Sequence, residues 1–399
     1  MPTAAARRFR ITAVRLAPRD TLAVRHQLLR QAIRAATVDG LIVTHLPNLF
    51  YLTNFQGTAG IAVATADRLY LIVDFRYSAA AKDLAASPYG SPDTEIVPVD
   101  RSYDETLVAL VRKLQTSRLG VEGANLSISR FNQLSKTLGA TASLIPTESV
   151  VETLRIVKDA HEIEMLRHGA RLLSKVALDV VQDARPGITE QELAAKIDWR
   201  IKSAGFERCS FETIVAAGPN SALPHAHAGD RPLHDGDLVV LDFGGVYGGY
   251  CVDLTRTVMV GQPDPEQQRV YDAVLEAQLA AIAAVKPGAR AGDVDAAARE
   301  TLGRHKLAEA FGHSTGHGLG IEIHESPRIG PRREATADAA ALPDDAIEPG
   351  MVFTIEPGAY LPGWGGVRIE DDVLVTADGV EVLTNVPRTL RPAATLRTA

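Results

Sequence analysis

Two well-separated stretches of the chain carry the same unusual pattern, a glycine, an apolar β-branched run and then an acid. Gly236 to Thr257 reads GDLVVLDFGGVYGGYCVDLTRT, with an apolar run from Leu238 to Phe243, a glycine-rich turn from Gly244 to Gly249 and a second strand candidate from Tyr250 to Val258. This spacing predicts a β-hairpin with Asp242 and Asp253 on its two arms. With the turn centred on Tyr247 and Gly248, outward pairing sets Asp242 opposite Asp253 on one face. Gly350 to Glu356 (GMVFTIE) repeats the opening, glycines follow, and the returning arm VRIEDDVLV carries Glu370. Carboxylates among apolar strand neighbours repel each other and lose hydration on burial, so they need shared protons, basic partners or metal ions.

A second signal, independent of the acids, also repeats. Helical periodicity breaks at Pro186 and Gly187, a further helix follows, and the same order returns at Pro287 and Gly288. Each half therefore runs helix, Pro-Gly, helix, carboxylate hairpin, which predicts a duplicated half-domain with four acids facing one space across a pseudo-twofold axis. Their charge suits two divalent cations, and four carboxylates plus one histidine can hold such a pair about 3.5 to 4 Å apart. An oxygen-rich set with one imidazole and no thiolate favours manganese and accommodates zinc or cobalt. The histidine comes from FGHSTGHGLGIEIH, which offers His313, His317 and His324, or from LPHAH, which offers His225 and His227. His227, His234 and His305 read as solvated or structural, and nothing nearby completes a metal site on His225 and His227.

The 399 residues accommodate two domains, with a boundary near Val150 where strand-rich alternation gives way to long helical periodicity. Residues 1–150 alternate strands and helices, predicting a compact α/β domain in which His45, Asp74 and Arg76 cap, solvate or support rather than catalyse. In residues 151–399, Thr189 reads as an N-cap with Glu192 as its capping-box partner. The net charge of -7 and the lack of a polybasic run argue against nucleic acid and anionic membranes. Cys209 and Cys251 are too few for a disulfide framework and fit a reducing compartment. No signal-peptide core or membrane span is evident, so the expected location is cytoplasmic.

The motifs LPHAH, LDFGGVYGGYCVDLTRT, GHSTGHGLGIEIHE, FTIEPG and GVRIEDD resemble those of the pita-bread metallopeptidases, in the branch of Xaa-Pro aminopeptidases and prolidases (Xaa-Pro dipeptidases). FYLTNFQGTAG and LIVDFRY are similar to the creatinase-type N-terminal domain, and LRIVKDAHEIEMLR to the start of the catalytic half. The resemblance implies an α+β chain: a C-terminal pita-bread fold with internal duplication, preceded by a smaller α/β domain. It implies that Asp242, Asp253, His317, Glu356 and Glu370 bind two metals, with Asp253 and Glu370 bridging. His225, His313 and His324 would place substrate and stabilise the intermediate, Arg368 would support Glu370, and Glu356 would shuttle the proton. The implied reaction removes the N-terminal residue of an Xaa-Pro peptide by attack of metal-activated hydroxide on the bond before proline. Methionine aminopeptidases, which generally lack the N-terminal domain, metal-free creatinase, and non-catalytic relatives without the full metal set are the alternatives. Gly57 to Gly60 (GTAG) is closer to the aminopeptidase P type, and a homodimer is expected in which the N-terminal domain lines the partner's cleft.

Overall fold

The computed structural model describes residues 15–332 and 346–390. It forms two compact units that divide after Arg155. In the first, chain order runs α1 (Arg19–Ala35), β1 (Gly40–Val43), α2 (Leu46–Thr53), β2 (Ile61–Ala64), β3 (Leu69–Val73), α3 (Phe75–Ala85), β4 (Thr94–Pro98), α4 (Tyr103–Leu114), β5 (Arg118–Glu122), α5 (Ile128–Leu138) and β6 (Ser143–Thr147), with α6 (Glu152–Ile156) at the division. The six strands form one mixed sheet in the order β4-β3-β2-β1-β5-β6. Ile42, Val63, Ile72 and Leu119 from four of these strands pack with Leu107 and Val111 of α4 and Leu134 of α5. The polar residues at the strand ends brace this frame. Asp74 caps α3 by accepting from the Arg76 amide at 2.9 Å and also holds the Arg76 guanidinium and the Tyr103 hydroxyl. Helix α2 escapes periodicity analysis because it is short and buried on every side from Asn48 to Thr53, leaving no polar stripe to read.

The second unit is a duplicated α/β body. Its first half contains α7 (Ala160–Val180), α8 (Glu190–Ser203), β7 (Arg208–Cys209), β8 (Ile214–Ala217), β9 (Leu238–Tyr247) and β10 (Tyr250–Met259). Its second contains α9 (Pro265–Ala284), α10 (Ala291–Arg304), β11 (Gly316–Gly318), β12 (Glu325–Ile329), β13 (Val352–Ile355), β14 (Gly358–Leu361), β15 (Gly365–Arg368), β16 (Asp371–Thr376) and β17 (Gly379–Val382). Helix α8 starts on the expected capping box: the Glu192 amide donates to Thr189 Oγ1 and the Thr189 amide to the Glu192 carboxylate.

The halves repeat one another bond for bond. After each Pro-Gly, Gly187 donates to the Leu233 carbonyl at 2.9 Å and Gly288 to that of Ile347 at 2.8 Å, and Leu233 and Ile347 donate back to Ile188 and Ala289. Gly236 and Gly350 open the two hairpins at φ 93° and 94°, a left-handed conformation that favours glycine. Each hairpin base closes alike, Gly236 to Val260 and Gly350 to Val375. Counting forward from the glycines matches Asp242 with Glu356, but counting back from the valines matches Asp253 with Arg368 and Thr255 with Glu370. The second acid thus sits two residues apart in the two copies.

The register of the first hairpin differs from the expected one. The turn is Gly248-Gly249, with φ 61° and 83°, and Tyr247 pairs with Tyr250. Asp242 therefore faces Thr255 and Asp253 faces Gly244. A two-residue hairpin turn of this kind needs positive φ at both central positions, which two glycines adopt without strain and Tyr247 does not. Because the shift is two residues, both acids stay on one face as diagonal neighbours. In the second hairpin Ile355 pairs with Asp371 and Gly358 with Arg368, one register broken only where Glu356 and Glu370 stand opposite each other.

Candidate metal centre and its cavity

The two hairpins and β11 bring the predicted acids and His317 to the floor of one cavity of about 620 Å³. Donor atoms of Asp253, His317 and Glu370 lie within 4.8 Å of one another. His317 Nε2 is 3.9 Å from Asp253 Oδ2 and 3.5 Å from Glu356 Oε1. Its Nδ1 faces the Gly318 carbonyl at 3.1 Å, so the proton belongs there and the Nε2 lone pair points at the carboxylates. Thr255 Oγ1 donates to Glu370 at 2.6 Å, the Leu254 amide to Asp253 at 2.8 Å, and Thr354 Oγ1 to Glu356 at 3.4 Å. Arg368, at the position that matches Asp253 in the duplication, donates to Asp242 Oδ2 and to the Tyr360 hydroxyl.

Charge on this floor is unbalanced. Four carboxylates face one guanidinium, and Asp242 Oδ1 is buried without a hydrogen-bond partner. Burial first, and then repulsion by the other acids, pushes Asp253 and Glu370 well above the usual carboxylate range. Burial likewise raises Glu356, against the pull of Arg368. An orphaned carboxylate oxygen, raised acids and an imidazole lone pair aimed at them are what a cation site requires, so the residues fit a divalent metal pair.

The remaining histidines line the walls. His324 stands against His317, ring centroids 4.3 Å apart. His225 and His227 are both exposed on the wall, and His227 Nδ1 lies 3.3 Å from the Glu212 carboxylate. His313 Nδ1 faces its neighbour's Ser314 carbonyl at 2.8 Å and must donate there, leaving Nε2 to accept from the Tyr360 hydroxyl at 2.9 Å. Burial, aided by Arg368, His225 and Arg299, lowers its pKa to about 4 and keeps the ring neutral.

Several residues outside the motif reading take part. Arg328 lines the wall, its Nε donating to Ser314 Oγ at 2.7 Å. Glu190, buried on α8, accepts from the Ala217 amide at 2.8 Å and the Gly229 amide at 3.2 Å, gathering the loop that carries His225. Asp372 accepts from the Asp253 amide at 3.0 Å. Each acts through tertiary contacts that spacing alone does not encode.

Residues 164–377 match the model of metallopeptidase family M24. The chain belongs to that family. Residues 25–157 match the creatinase/prolidase N-terminal domain. The chain is 36% identical over 358 residues to the Xaa-Pro dipeptidase of Pyrococcus furiosus, covering 89% of this chain and 95% of that one. Among solved structures it is similar to an Xaa-Pro dipeptidase from Bacillus anthracis (TM-score 0.86, 37% identity, 92% of this chain and 99% of that one). It is also similar to an X-Pro aminopeptidase from Thermotoga maritima (TM-score 0.80, 34% identity, 90% and 99%). This M24 chain is therefore a two-unit metallopeptidase with a creatinase-type N-terminal domain and a pita-bread catalytic body.

Proposed function

We propose that this M24 enzyme hydrolyses the bond between an N-terminal residue and proline, with Asp242, Asp253, His317, Glu356 and Glu370 holding two divalent ions, most simply manganese. The observation that carries this is the convergence of those five side chains on the floor of one cavity whose walls bear histidines and Arg328. When bound, the cation pair would lower the pKa of water from about 15.7 towards about 7 and supply a nucleophile at neutral pH. Asp253 and Glu370, whose donor atoms lie within 4.8 Å of one another and of His317, would hold the cations together with that imidazole. Glu356, 3.5 Å from His317 Nε2 on the floor, would take the proton and return it to the prolyl nitrogen as the bond breaks. His324 and His225 face the cavity and can orient the scissile carbonyl and the free amine. His313 lines the wall and is tied through the Tyr360 hydroxyl to Arg368.

Substrate length follows from charge. Besides Arg368, which is committed to Asp242 and only 4% exposed, Arg328 is the arginine among the lining residues, with no lysine there. It is placed to take a terminal carboxylate, which favours dipeptides. No described helix is long and apolar enough to cross a membrane, and both cysteines are free thiols, in keeping with a cytoplasmic enzyme.

The test is hydrolysis of Ala-Pro beside Ala-Pro-Ala by metal-stripped protein and after manganese is restored. Manganese-dependent cleavage of the dipeptide alone is expected. Equal cleavage of the tripeptide would reassign the enzyme as an aminopeptidase, and silence on both would remove the peptidase reading.

A further inference from the structure

Helix α10 carries an ion pair, buried at its carboxylate, that no step of the chemistry uses. Asp295 is 1% exposed, and Arg299, one turn on, meets it with Nε at 2.7 Å and Nη2 at 3.1 Å. Both groups then reach out of the helix into the backbone of the loop that carries His313. Arg299 Nη1 donates to the Phe311 carbonyl at 3.1 Å and Nη2 to the carbonyl of His313 itself, while the guanidinium stacks over the Phe311 ring with 4.5 Å to its centroid. Asp295 Oδ1 accepts from the Thr315 amide at 3.2 Å and hydroxyl at 2.8 Å. Thr315 in turn receives the Glu356 amide at its carbonyl, 2.7 Å away. The pair therefore grips the chain on both sides of His313.

We infer that Arg299, locked by Asp295, is a positioning residue for His313, fixing the loop from Phe311 to Thr315 so that the imidazole meets the Tyr360 hydroxyl. The inference rests on the peptidase reading of the cavity. Two features set this pair apart from an ordinary i,i+4 bridge on a helix surface, which would only staple the helix. Its carboxylate is buried, and three of its outward bonds end on backbone atoms flanking one wall residue. A planar fork is needed: it spans two carbonyls and a carboxylate at once, which an ammonium cannot do with the same geometry. The consequence runs from Arg299 through His313 and Tyr360 to Arg368 and Asp242, so a slack loop would misalign the cavity floor without removing any group from it.

The test compares Arg299→Lys with the wild-type enzyme in two ways. In metal-free, imidazole-labelled protein, long-range nitrogen–proton spectra read the His313 tautomer, with its signal assigned by its loss in His313→Gln. Wild-type His313 is expected neutral at pH 7 with the proton on Nδ1, and Arg299→Lys is expected to show a ring averaged over both tautomers. With manganese and Ala-Pro, kcat is expected to fall by about 10-fold to 100-fold, the scale of a small misplacement, with KM little changed and a near-native melting temperature. If Arg299→Lys does not fold, Asp295→Asn carries the same expectations. An unchanged His313 signal with unchanged kcat would overturn the inference, as would a loss of kcat that only tracks the folded fraction. A wild-type enzyme inert on Ala-Pro would instead strike the peptidase reading, and the tautomer signal would still decide the role of Arg299.

Discussion

One guanidinium shares the cavity floor with four carboxylates, and that imbalance sets how single residues respond to protons and ligands. Raised acids hold protons in the metal-free protein, so binding manganese must release them. Titration calorimetry in buffers of different ionisation enthalpy is expected to show a buffer-dependent heat, and a heat independent of buffer would argue against the raised acids. Arg328 poses a sharper question about substrate. Arg328→Ala is expected to raise KM for Ala-Pro by about tenfold or more, the worth of a charge-assisted bond, while sparing Ala-Pro-amide, which has no terminal carboxylate. In the first unit His26 is 2% exposed, with Nε2 facing the Leu52 carbonyl at 2.8 Å. Burial lowers its pKa below 6.5 in the folded protein, so the unfolded chain binds the proton first on acidification. Its stability contribution is complete above about 6.5 and is lost as pH falls from there towards the folded value, with a limiting slope of about 1.4 kcal/mol per pH unit. Denaturant melts of His26→Gln across that window are expected to show a flatter acid dependence than the wild type.

At the scale of elements, the short strand β11 leaves no room for a side chain at Gly316. A Cβ at Gly316 would stand 1.8 Å from the Thr354 carbonyl oxygen, so Gly316→Ala must push β11 off β13 and carry His317 with it. Overpacking of this kind costs about 1 to 3 kcal/mol, and the variant is expected to retain less manganese after desalting than the wild type. The hairpins themselves were legible because acids at the ends of apolar runs stand out against alternation. Their register was not, since Gly244, Gly245, Gly248 and Gly249 all look alike on paper. What separates them is packing: a Cβ on Gly244 would strike Ser210 and the Val252 carbonyl, so that glycine is spent on close approach, and Gly248-Gly249 turns the chain. The same limit hides the offset between Asp253 and Glu370, which appears only when the bonds closing each hairpin base are matched.

For the whole molecule, the repeated Pro-Gly and glycine-to-acid spacings make the duplication and the four acids legible in the sequence, whereas the choice of His317 among the histidines comes only with the family resemblance. Arg328, Asp295, Arg299, Glu190 and Tyr360 are not legible there, because each gains its role from contacts made only when separate elements fold together. A homodimer is expected at assay concentration, and sedimentation velocity showing an active monomer would refute it. Asp253→Asn tests most directly whether acids from two hairpins hold the metal ions that drive hydrolysis, through manganese content and Ala-Pro turnover in one preparation. The variant is expected to bind fewer than two ions and to lose more than about a hundredfold in kcat/KM, beyond the loss on removing an outer-shell partner. Full two-ion occupancy with unchanged hydrolysis would contradict it.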